Sequence, residues 1–484
     1  MGSSLTTAHT KTTAESGADS RLPAPLFAAL TPLRRPLFRA LWIASLASNI
    51  GTWMHEAGAA WLMTSLTESP VLVALMQTAT TLPVFMLALP AGALADGADR
   101  RRVLLFTQGW MLAVAAVLGL LALADALTPW TLLAFTFALG AGAAVNAPAW
   151  QATMPVLVPR EDLPSAVALT GMGLNLARAL GPALGGAVVA ALGPWAVFLL
   201  NAVSFSSVIA VLYRWRGPRP KSNASTEPVL ASIAAGVRYV PRVPALRAVL
   251  VRTGLFVPFA SALWALLPAV ARHEMKLGSM GYGILFGCLG LGAAAGSFIL
   301  PQLRRTLPWD RLTAGMTAVF AAALAGLAVV RHAPGLALVM AAGGAAWITV
   351  LVSLNVATQS AAPTRVRARA LAVYLLVFQG AMAAGGAFWG AVAEHAGSRA
   401  ALLLAAGGLV ASLALARRHR LGNAEIRPAP TVPAAVMPEP LVRRRARREA
   451  AGRSARCRLQ ARDLRRMPVP LNGSDNRITI TIDR

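Results

Sequence analysis

Two charged residues of this 484-residue chain stand deep inside long apolar stretches, Glu56 and Arg178. Measured from the same side of the bilayer, in the spans given below, they differ in depth by only about 6 Å at a rise of ~1.5 Å per residue. An ionisable side chain at such a depth faces an interior cavity or a partner, because its exposure to lipid costs several kcal/mol. Binding or transferring charge is the chemistry that such residues can perform.

A polar stripe accompanies Glu56. Ser45, Asn49 and Thr52 precede it at spacings that place all four residues on one helical face. His55 lies beside this stripe and is a second candidate proton carrier, because histidine changes charge near neutral pH. The alternative for His55 is a hydrogen-bonded packing residue. Serine, threonine and asparagine within membranes also often bond only to neighbouring helices.

Other polar residues within apolar stretches are candidates for lining a cavity, with helix–helix hydrogen bonding as the alternative for several of them. They are Asn146, Gln151, Asn175, Asn201, Asn355, Gln359 and Gln379. Tryptophans such as Trp53, Trp61 and Trp150 fall near the ends of apolar stretches, where anchoring at the membrane interface is the expected role.

The elements that position these residues are predicted to be transmembrane helices. The chain is 56% hydrophobic and 13% charged, and its apolar residues fall in continuous blocks of about twenty, which cross a bilayer as helices rather than as a barrel. We predict an all-α membrane protein of twelve helices, arranged as two six-helix repeats around a central cavity. The predicted spans are 38–64, 70–94, 103–124, 128–151, 164–190, 193–213, 247–270, 280–303, 311–331, 335–360, 369–393 and 399–416.

The net charge of +26 is explained by topology rather than by nucleic acid. Lysine and arginine concentrate in alternate connections, which places these connections and both termini in the cytoplasm of a bacterial inner membrane. No secretory signal peptide is expected. The two cysteines, Cys288 and Cys457, are far apart and indicate neither a metal site nor a disulfide framework, so we expect no cofactor.

The chain also matches itself at an offset of 204 residues, which pairs Gly140 with Gly344 and Gly193 with Gly397, together with loop arginines and prolines. Chance matching of abundant glycines is the weaker interpretation. The predicted organisation is a cytoplasmic segment (1–36), two six-helix bundles (37–213 and 247–416) joined by a cytoplasmic linker (214–246), and a basic, disordered tail (417–484).

The connection after the second span contains Gly92, Asp96, Arg100 and Arg101. In this order and spacing they resemble the loop motif of the Major Facilitator Superfamily. The resemblance implies that these four residues form a conformational latch, with Asp96 as the gating carboxylate; a charged turn is the simpler alternative. The second repeat has Leu300 where the aspartate would stand, so a symmetric latch is not expected.

Span 5 contains Gly181, Pro182, Gly185 and Gly186. Proline and glycine in this pattern allow bending and close packing, and ordinary small-residue packing is the alternative. The string resembles the span-5 motif of the superfamily's exporters. In the fold that the resemblance implies, spans 1 and 5 are neighbours. We therefore predict an ion pair between Glu56 and Arg178 that accompanies proton or substrate binding, with a static pair as the alternative.

The predicted function is secondary active export of a small molecule, of the siderophore or amphipathic drug class, by alternating access. The opening of span 1 and residues 363–371 resemble the branch of the superfamily that contains an enterobactin exporter. Proton coupling is expected, although Thr136 occupies the position of the arginine that couples protons in many exporters. An importer or facilitator and, less favoured, a membrane-embedded lipid-modifying enzyme are the alternatives. We expect a monomer that contacts its substrate, the lipid bilayer and protons.

Overall fold

The computed structural model describes residues 30–215, 243–363, 366–419 and Leu421. All of these residues belong to one compact unit, Met1–Glu425. Most of the predicted N-terminal segment, most of the predicted linker and nearly all of the predicted tail therefore lie outside the described residues.

The described chain is helical from end to end. A 3₁₀ turn, Thr31–Arg34, leads into the first helix. The N-terminal helices are α1 Pro36–Leu66, α2 Pro70–Gly97, α3 Arg100–Leu123, α4 Pro129–Leu157, α5 Leu163–Leu192 and α6 Pro194–Arg214. The C-terminal helices are α7 Pro244–Ala260, α8 Ala262–Ala269, α9 Ser279–Thr306, α10 Trp309–Val329, α11 Ala333–Ala361 and α12 Arg367–Ala416.

Ten candidate membrane spans are found among the described residues. Helix α7, helix α8 and a single π turn, Val270–Glu274, form one of them, Pro244–Glu274. Helix α1 is not among the ten, although it has 31 residues, because its polar stripe lowers its hydropathy. Helix α12 counts as one span, although Gly397 has non-helical dihedral angles within it.

Local sequence explains where several helices begin and end. Proline occupies the first turn of α1, α2, α4, α6 and α7. Backbone N–H groups in the first turn have no partner within the helix, so proline, which lacks an N–H, costs no hydrogen bond there. The Asp99 carboxylate caps α3 by accepting hydrogen bonds from the backbone of Arg101 and Arg102. Gly193 ends α5 with a φ of 93°, a left-handed conformation that costs glycine little.

Within the N-terminal helices, α2 packs on α4, α3 on α6, and α1 on both α5 and α6. Within the C-terminal helices, α9 packs on α11, α7 on α12, and α10 on α11 and α12. The two sets meet where α5 packs along α9 and α2 packs along α12. The residues that line the candidate site come from both sides of these contacts.

Glycine allows the closest of these packings. The Gly344 backbone of α11 lies against the Leu289 carbonyl of α9, and Gly292 of α9 lies against Ala341 of α11. A methyl group at either glycine would overlap a backbone carbonyl. Membrane helices gain no hydrophobic driving force from leaving lipid, so such close backbone contact supplies much of their attraction.

We expect Gly344→Ala to destabilise the protein by about 1–3 kcal/mol, the usual cost of overpacking, because neither backbone can move away without separating α9 from α11. Gly315→Ala is the matched control, since Gly315 lies within α10 and has open space where a methyl group would be added. Thermal unfolding of the purified protein in detergent measures both variants. Equal melting temperatures would contradict the proposed role of this contact.

Candidate functional site

A cavity of about 680 Å³ lies between the N-terminal and C-terminal helices. We call it the central cavity. Its wall on the N-terminal side is rich in polar side chains, which include Ser45, Ser48, Asn49, Thr52, His55, Glu56, Gln77, Thr80, Thr81, Gln108, Asn146, Arg178 and Asn201. Its wall on the C-terminal side is largely aromatic and aliphatic, with Trp264, Tyr282, Phe286, Leu289, Trp347, Leu351, Phe378, Gln379 and Met382.

The predicted polar stripe of α1 faces this cavity. Ser45, Asn49, Thr52 and Glu56 all line it. Their helical spacing places them on one face, so all four face the same environment. The hydroxyls of Ser45 and Thr52 donate to backbone carbonyls one turn earlier, on the same helix. These two residues therefore satisfy their own donors, while the Asn49 amide and the Glu56 carboxylate have no hydrogen bond within the described protein and can bind a ligand.

Glu56 and Arg178 line the same cavity, and their charges interact electrostatically across it. A direct ion pair requires a nitrogen–oxygen distance of 4.0 Å or less, and no nitrogen of Arg178 lies that close to a Glu56 oxygen. The predicted pair is therefore not formed in this conformation. The Arg178 guanidinium instead lies over the Trp53 ring, 5.3 Å from its centroid. Its buried Nε has no hydrogen-bond partner within the described protein.

His55 is 4% exposed and packs against Phe198, with ring centroids 4.7 Å apart. Neither ring nitrogen has a hydrogen-bond partner within the described protein, although the residue lines the cavity. His55 therefore packs as a core residue but lacks the hydrogen bond that this alternative expected, and its role as a proton carrier stays a prediction. The burial of two unpaired nitrogens is costly unless water or a ligand reaches them.

Asn146 and Asn175, two of the asparagines predicted as candidates for lining the cavity, differ in position. Asn146 lines the cavity, and its Oδ1 accepts hydrogen bonds from Thr107 Oγ1 at 3.0 Å and Gln108 Nε2 at 3.3 Å. Asn175 lies one turn before Arg178 on α5 and is not among the cavity-lining residues. Asn201 and Gln379, from the wider set of polar residues, also line the cavity.

The aromatic wall was not predicted. Trp264 and Trp347 stand 4.3 Å apart by ring centroid, and Phe256, Phe320 and Phe378 continue the cluster through ring contacts. Trp53 and Trp150, which were expected to anchor at the membrane interface, line the cavity instead. The sequence carried one indication of this wall. Trp264 and Trp347 lie inside apolar blocks rather than at their ends, which does not suit anchoring at the membrane interface.

The glycine–proline string of α5 is a packing surface with two faces. Gly181 and Gly185 lie against the backbone of α1 near Met54, whereas Gly186 lies against Ser279 at the start of α9. Helix α5 continues through Pro182 without interruption, and the Pro182 carbonyl lies against Gly283 of α9. Close packing, one of the two predicted roles, is therefore what the described structure displays.

Helix α9 supplies the partner surface. Gly283, Gly287 and Gly290 face the backbone of Pro182, Ala179 and Arg178 in turn, so α5 and α9 touch backbone to backbone over two turns. We call this contact the α5–α9 seam. Sequence reasoning missed it, although the repeated glycines of span 8 at helical spacing are the known signature of such a surface.

Further contacts join the two sets of helices at the end where α1 finishes and α2 begins, which we call the distal end. The Glu394 carboxylate of α12 accepts hydrogen bonds from Ser69 Oγ at 2.9 Å and from the Val71 backbone N–H at 3.3 Å. It thereby occupies the positive N-terminus of α2. Nearby, the Arg272 guanidinium lies over the Trp61 ring, which stacks on Tyr282.

The connection between α2 and α3 binds other parts of the N-terminal helices. Arg100 Nη1 donates to the Ala152 carbonyl at 3.0 Å, and Arg101 donates to the Leu212 and Tyr213 carbonyls at 2.8 Å each, at the end of α6. Gly92 has open space around its Cα. The Asp96 side chain lies outside the described residues, so the predicted latch stays a prediction.

Among the described residues, no group of histidine, cysteine and acidic side chains is arranged to hold a metal ion. Cys288 is a free, partly buried thiol. The central cavity therefore offers hydrogen bonds, one carboxylate, one guanidinium and aromatic faces. These groups suit reversible binding of an amphipathic molecule.

A helical bundle with ten candidate spans and a cavity between two sets of helices has the architecture of a membrane transporter of the Major Facilitator Superfamily. The family described as "Transmembrane secretion effector", a member of this superfamily, matches residues 27–452. The chain belongs to this family and is a multi-pass membrane protein. Its family and fold are those of transporters rather than enzymes.

Among curated relatives, the chain is 30% identical over 281 residues to the enterobactin exporter EntS of Salmonella paratyphi A, a match that covers 56% of this chain and 65% of that protein. The chain thus spans less than two thirds of the length of this relative. Its fold resembles a bacterial homologue of the lysosomal transporter Spinster, crystallised inward-facing and unoccupied (TM-score 0.65, 15% identity, 83% of this chain and 99% of that one). It also resembles the nucleoside transporter NupG in its D323A mutant form (TM-score 0.66, 12% identity, 79% and 99%).

We expect Glu394→Ala to loosen the distal end, because the variant removes both hydrogen bonds that α12 makes to the start of α2. The reporter is a cysteine at Ala74, which is fully buried beside Gly390, in a background with Cys288 and Cys457 replaced. Its labelling by a membrane-impermeant thiol reagent should accelerate about threefold to tenfold.

Glu68→Ala is the matched control, because Glu68 is an exposed acid of the same connection and has no hydrogen bond or ion pair within the described protein. Its labelling rate should equal that of the parent. Equal rates in the Glu394 and Glu68 variants would show that the distal contact does not hold the two sets of helices together.

Proposed function

We propose that the chain forms twelve transmembrane helices in two six-helix repeats, with α1 crossing the membrane and α12 crossing it twice. A straight helix of the 48 residues in the last candidate span would be about 70 Å long, whereas a hydrocarbon core is about 30 Å thick. The break at Gly397 supports two crossings, because its φ of 83° matches the 93° of Gly193, which lies 204 residues earlier.

Packing contacts support the same repeat. Gly181 of α5 lies against α1 at Met54, and Gly385 of α12 lies against α7 at Pro258. Gly385 lies 204 residues after Gly181, and Pro258 lies 204 residues after Met54, so the second contact repeats the first at the same offset. A duplicated unit keeps such contacts because the same small residue must remain opposite the same stretch of backbone.

Within this architecture, the proposed function is secondary active export of a small amphipathic molecule by alternating access. The observation that carries it is the central cavity, where a polar and charged wall from one set of helices faces an aromatic wall from the other. An amphipathic molecule can place its polar groups toward α1 and its rings or chains toward Trp347 and Phe378. The name of the enterobactin exporter among the relatives supports export and a siderophore as substrate, and the chemistry of the two cavity walls supports amphipathic drugs as the other substrate class.

Arginine-rich connections support an inner-membrane location with both termini in the cytoplasm, and one chain holds the complete cavity, as a monomer requires. In this orientation the distal end faces away from the cytoplasm. The Glu394 contact and the α5–α9 seam would hold the exporter closed on that side, ready to accept substrate from within the cell.

The proposed energy source is the proton gradient, and Glu56 is the proposed proton-binding residue. Its carboxylate lies in the cavity wall without a hydrogen bond from the described protein, close enough to Arg178 for their charges to interact. Thr136 also lines the cavity but donates to its own helix, at the Leu132 carbonyl, and cannot replace a charged coupling residue. Asp96, with Arg100 and Arg101, is proposed as the conformational latch.

Growth inhibition tests the exporter. Cells that express the protein should tolerate higher concentrations of one or more compounds in a panel of catecholate siderophores and aromatic cationic, neutral and anionic drugs. They should also accumulate less of each compound to which their tolerance is raised. In inverted vesicles an exporter takes the compound up, whereas an importer does not. Unchanged tolerance and accumulation across the whole panel would contradict the proposed substrate class.

We expect Glu56→Gln to abolish uptake driven by a pH gradient in inverted vesicles, because the amide keeps the shape of the side chain but cannot release a proton. Substrate binding to the purified variant should persist, which separates coupling from folding. Glu68→Gln serves as the control, since it removes a carboxylate outside the cavity. Normal gradient-driven uptake by the Glu56 variant would exclude this residue as the proton site.

A further inference from the structure

A second cavity, of about 340 Å³, lies within the C-terminal helices, near the start of α10 and the end of α12. Its interior is largely apolar and is lined by Leu255 and Phe256 of α7, Ala314 of α10, Val350 and Leu354 of α11, and Leu413 of α12. It shares no lining residue with the central cavity and has no part in the transport proposed above.

One side of this second cavity is fixed by Arg252, which is 9% exposed. Its guanidinium donates to the Asp310 carboxylate at 2.5 Å, to Thr313 Oγ1 at 2.9 Å and to the His419 carbonyl at 2.7 Å. The Leu421 N–H also donates to Asp310, at 3.0 Å. Asp310 is thereby occupied by partners on two other segments. Arg252 also donates to the Ala416 carbonyl, so four of its five N–H donors are used within the protein.

Two further arginines line the cavity without such partners. Arg311 lies in the first turn of α10, Arg417 follows α12, and both are exposed. Neither guanidinium has a hydrogen bond or ion pair within the described part of the chain. The local charge is therefore positive, because Asp310, the acidic residue among those that line this cavity, is already paired with Arg252.

The position of these arginines defines the ligand further. Both lie where apolar helices end, at the depth at which a bilayer changes from hydrocarbon to head groups. A ligand that reaches this cavity from the membrane must combine an apolar chain with an anionic group. Guanidinium groups bind phosphate well, because their N–H donors match its oxygens in pairs.

We propose that this cavity binds an anionic phospholipid, with part of one acyl chain among Leu255, Leu354 and Leu413 and the phosphate between Arg311 and Arg417. The chain's own tail is a poorer occupant, because residues 422–484 are rich in arginine and would bring positive charge to a positive rim. The bound lipid would connect α10 to the end of α12, beside the Arg252 network that already joins them.

Native mass spectrometry of the full-length protein in detergent tests this site. The probes are phosphatidylglycerol, phosphatidylcholine with the same acyl chains, and glycerol phosphate, which has the anionic group without the chains. We expect phosphatidylglycerol to bind most tightly. The double variant Arg311→Gln/Arg417→Gln should weaken this binding about thirtyfold, since each arginine near a membrane surface contributes roughly a fivefold factor.

Arg305→Gln/Arg418→Gln is the matched control, because it removes two exposed arginines from the same end of the bundle that do not line the cavity. Its phosphatidylglycerol binding should equal that of the parent. Ala314→Phe should also weaken binding, by filling the apolar interior while leaving both rim arginines in place. Melting temperatures confirm that each variant is folded.

Equal losses in the two double variants would overturn the proposal, because they would indicate attraction by net charge alone. Equal affinities for phosphatidylglycerol and glycerol phosphate would also overturn it, in favour of a simple anion site. Tighter lipid binding after removal of residues 422–484 would identify the tail as the occupant and would likewise contradict the assignment.

Discussion

Close approach of helix backbones is the constraint on which this structure depends. A lipid bilayer gives apolar helices little reason to leave lipid for one another, so contact area and short separation must supply their attraction. Helix α9 meets this requirement on two faces. Gly292 and Gly296 bring it against α11 of its own set, while Gly283, Gly287 and Gly290 bring it against α5 of the other. The same helix therefore holds a bundle together and forms the boundary between bundles.

The central cavity follows from this arrangement, because helices that touch at glycines must separate where larger side chains intervene. Its two walls differ in chemistry since they come from different sets of helices. The α1 stripe contributes hydroxyls, an amide and a carboxylate, whereas the facing wall is dominated by Trp264, Trp347 and Phe378. In the sequence, the deep charges Glu56 and Arg178 both precede the linker. In the structure, both therefore lie on one wall of the central cavity.

Sequence periodicity predicted much of this. Apolar blocks of about twenty residues predicted the helices. The spacing from Ser45 to Glu56 predicted a polar face on α1, and these residues line the central cavity in the structure. Helix α1 illustrates the limit of hydropathy, because the polar residues that line the cavity also lower its hydropathy below that of the ten candidate spans. Family membership was also predicted from the loop and span-5 motifs and is confirmed by the match over residues 27–452.

Contacts between distant segments could not be predicted in the same way. Depth arguments placed Glu56 and Arg178 at the same level, yet they carry no information on rotamers, and the guanidinium stacks on Trp53 rather than meeting the carboxylate. Asn175 was one turn from the correct position, a difference that helix rotation decides. The aromatic wall needs α8, α9, α11 and α12 to converge, which no local pattern specifies.

The α5–α9 seam has a mechanical consequence. Over the residues Arg178 to Gly186, glycines of each helix lie against backbone atoms of the other. Interlocked side chains resist sliding because each must leave its socket before the next can be entered. A glycine position presents no such step. The seam would therefore keep α5 and α9 together while one rolls on the other, and the polar contact that Glu394 makes would add the resistance that must be overcome before they move.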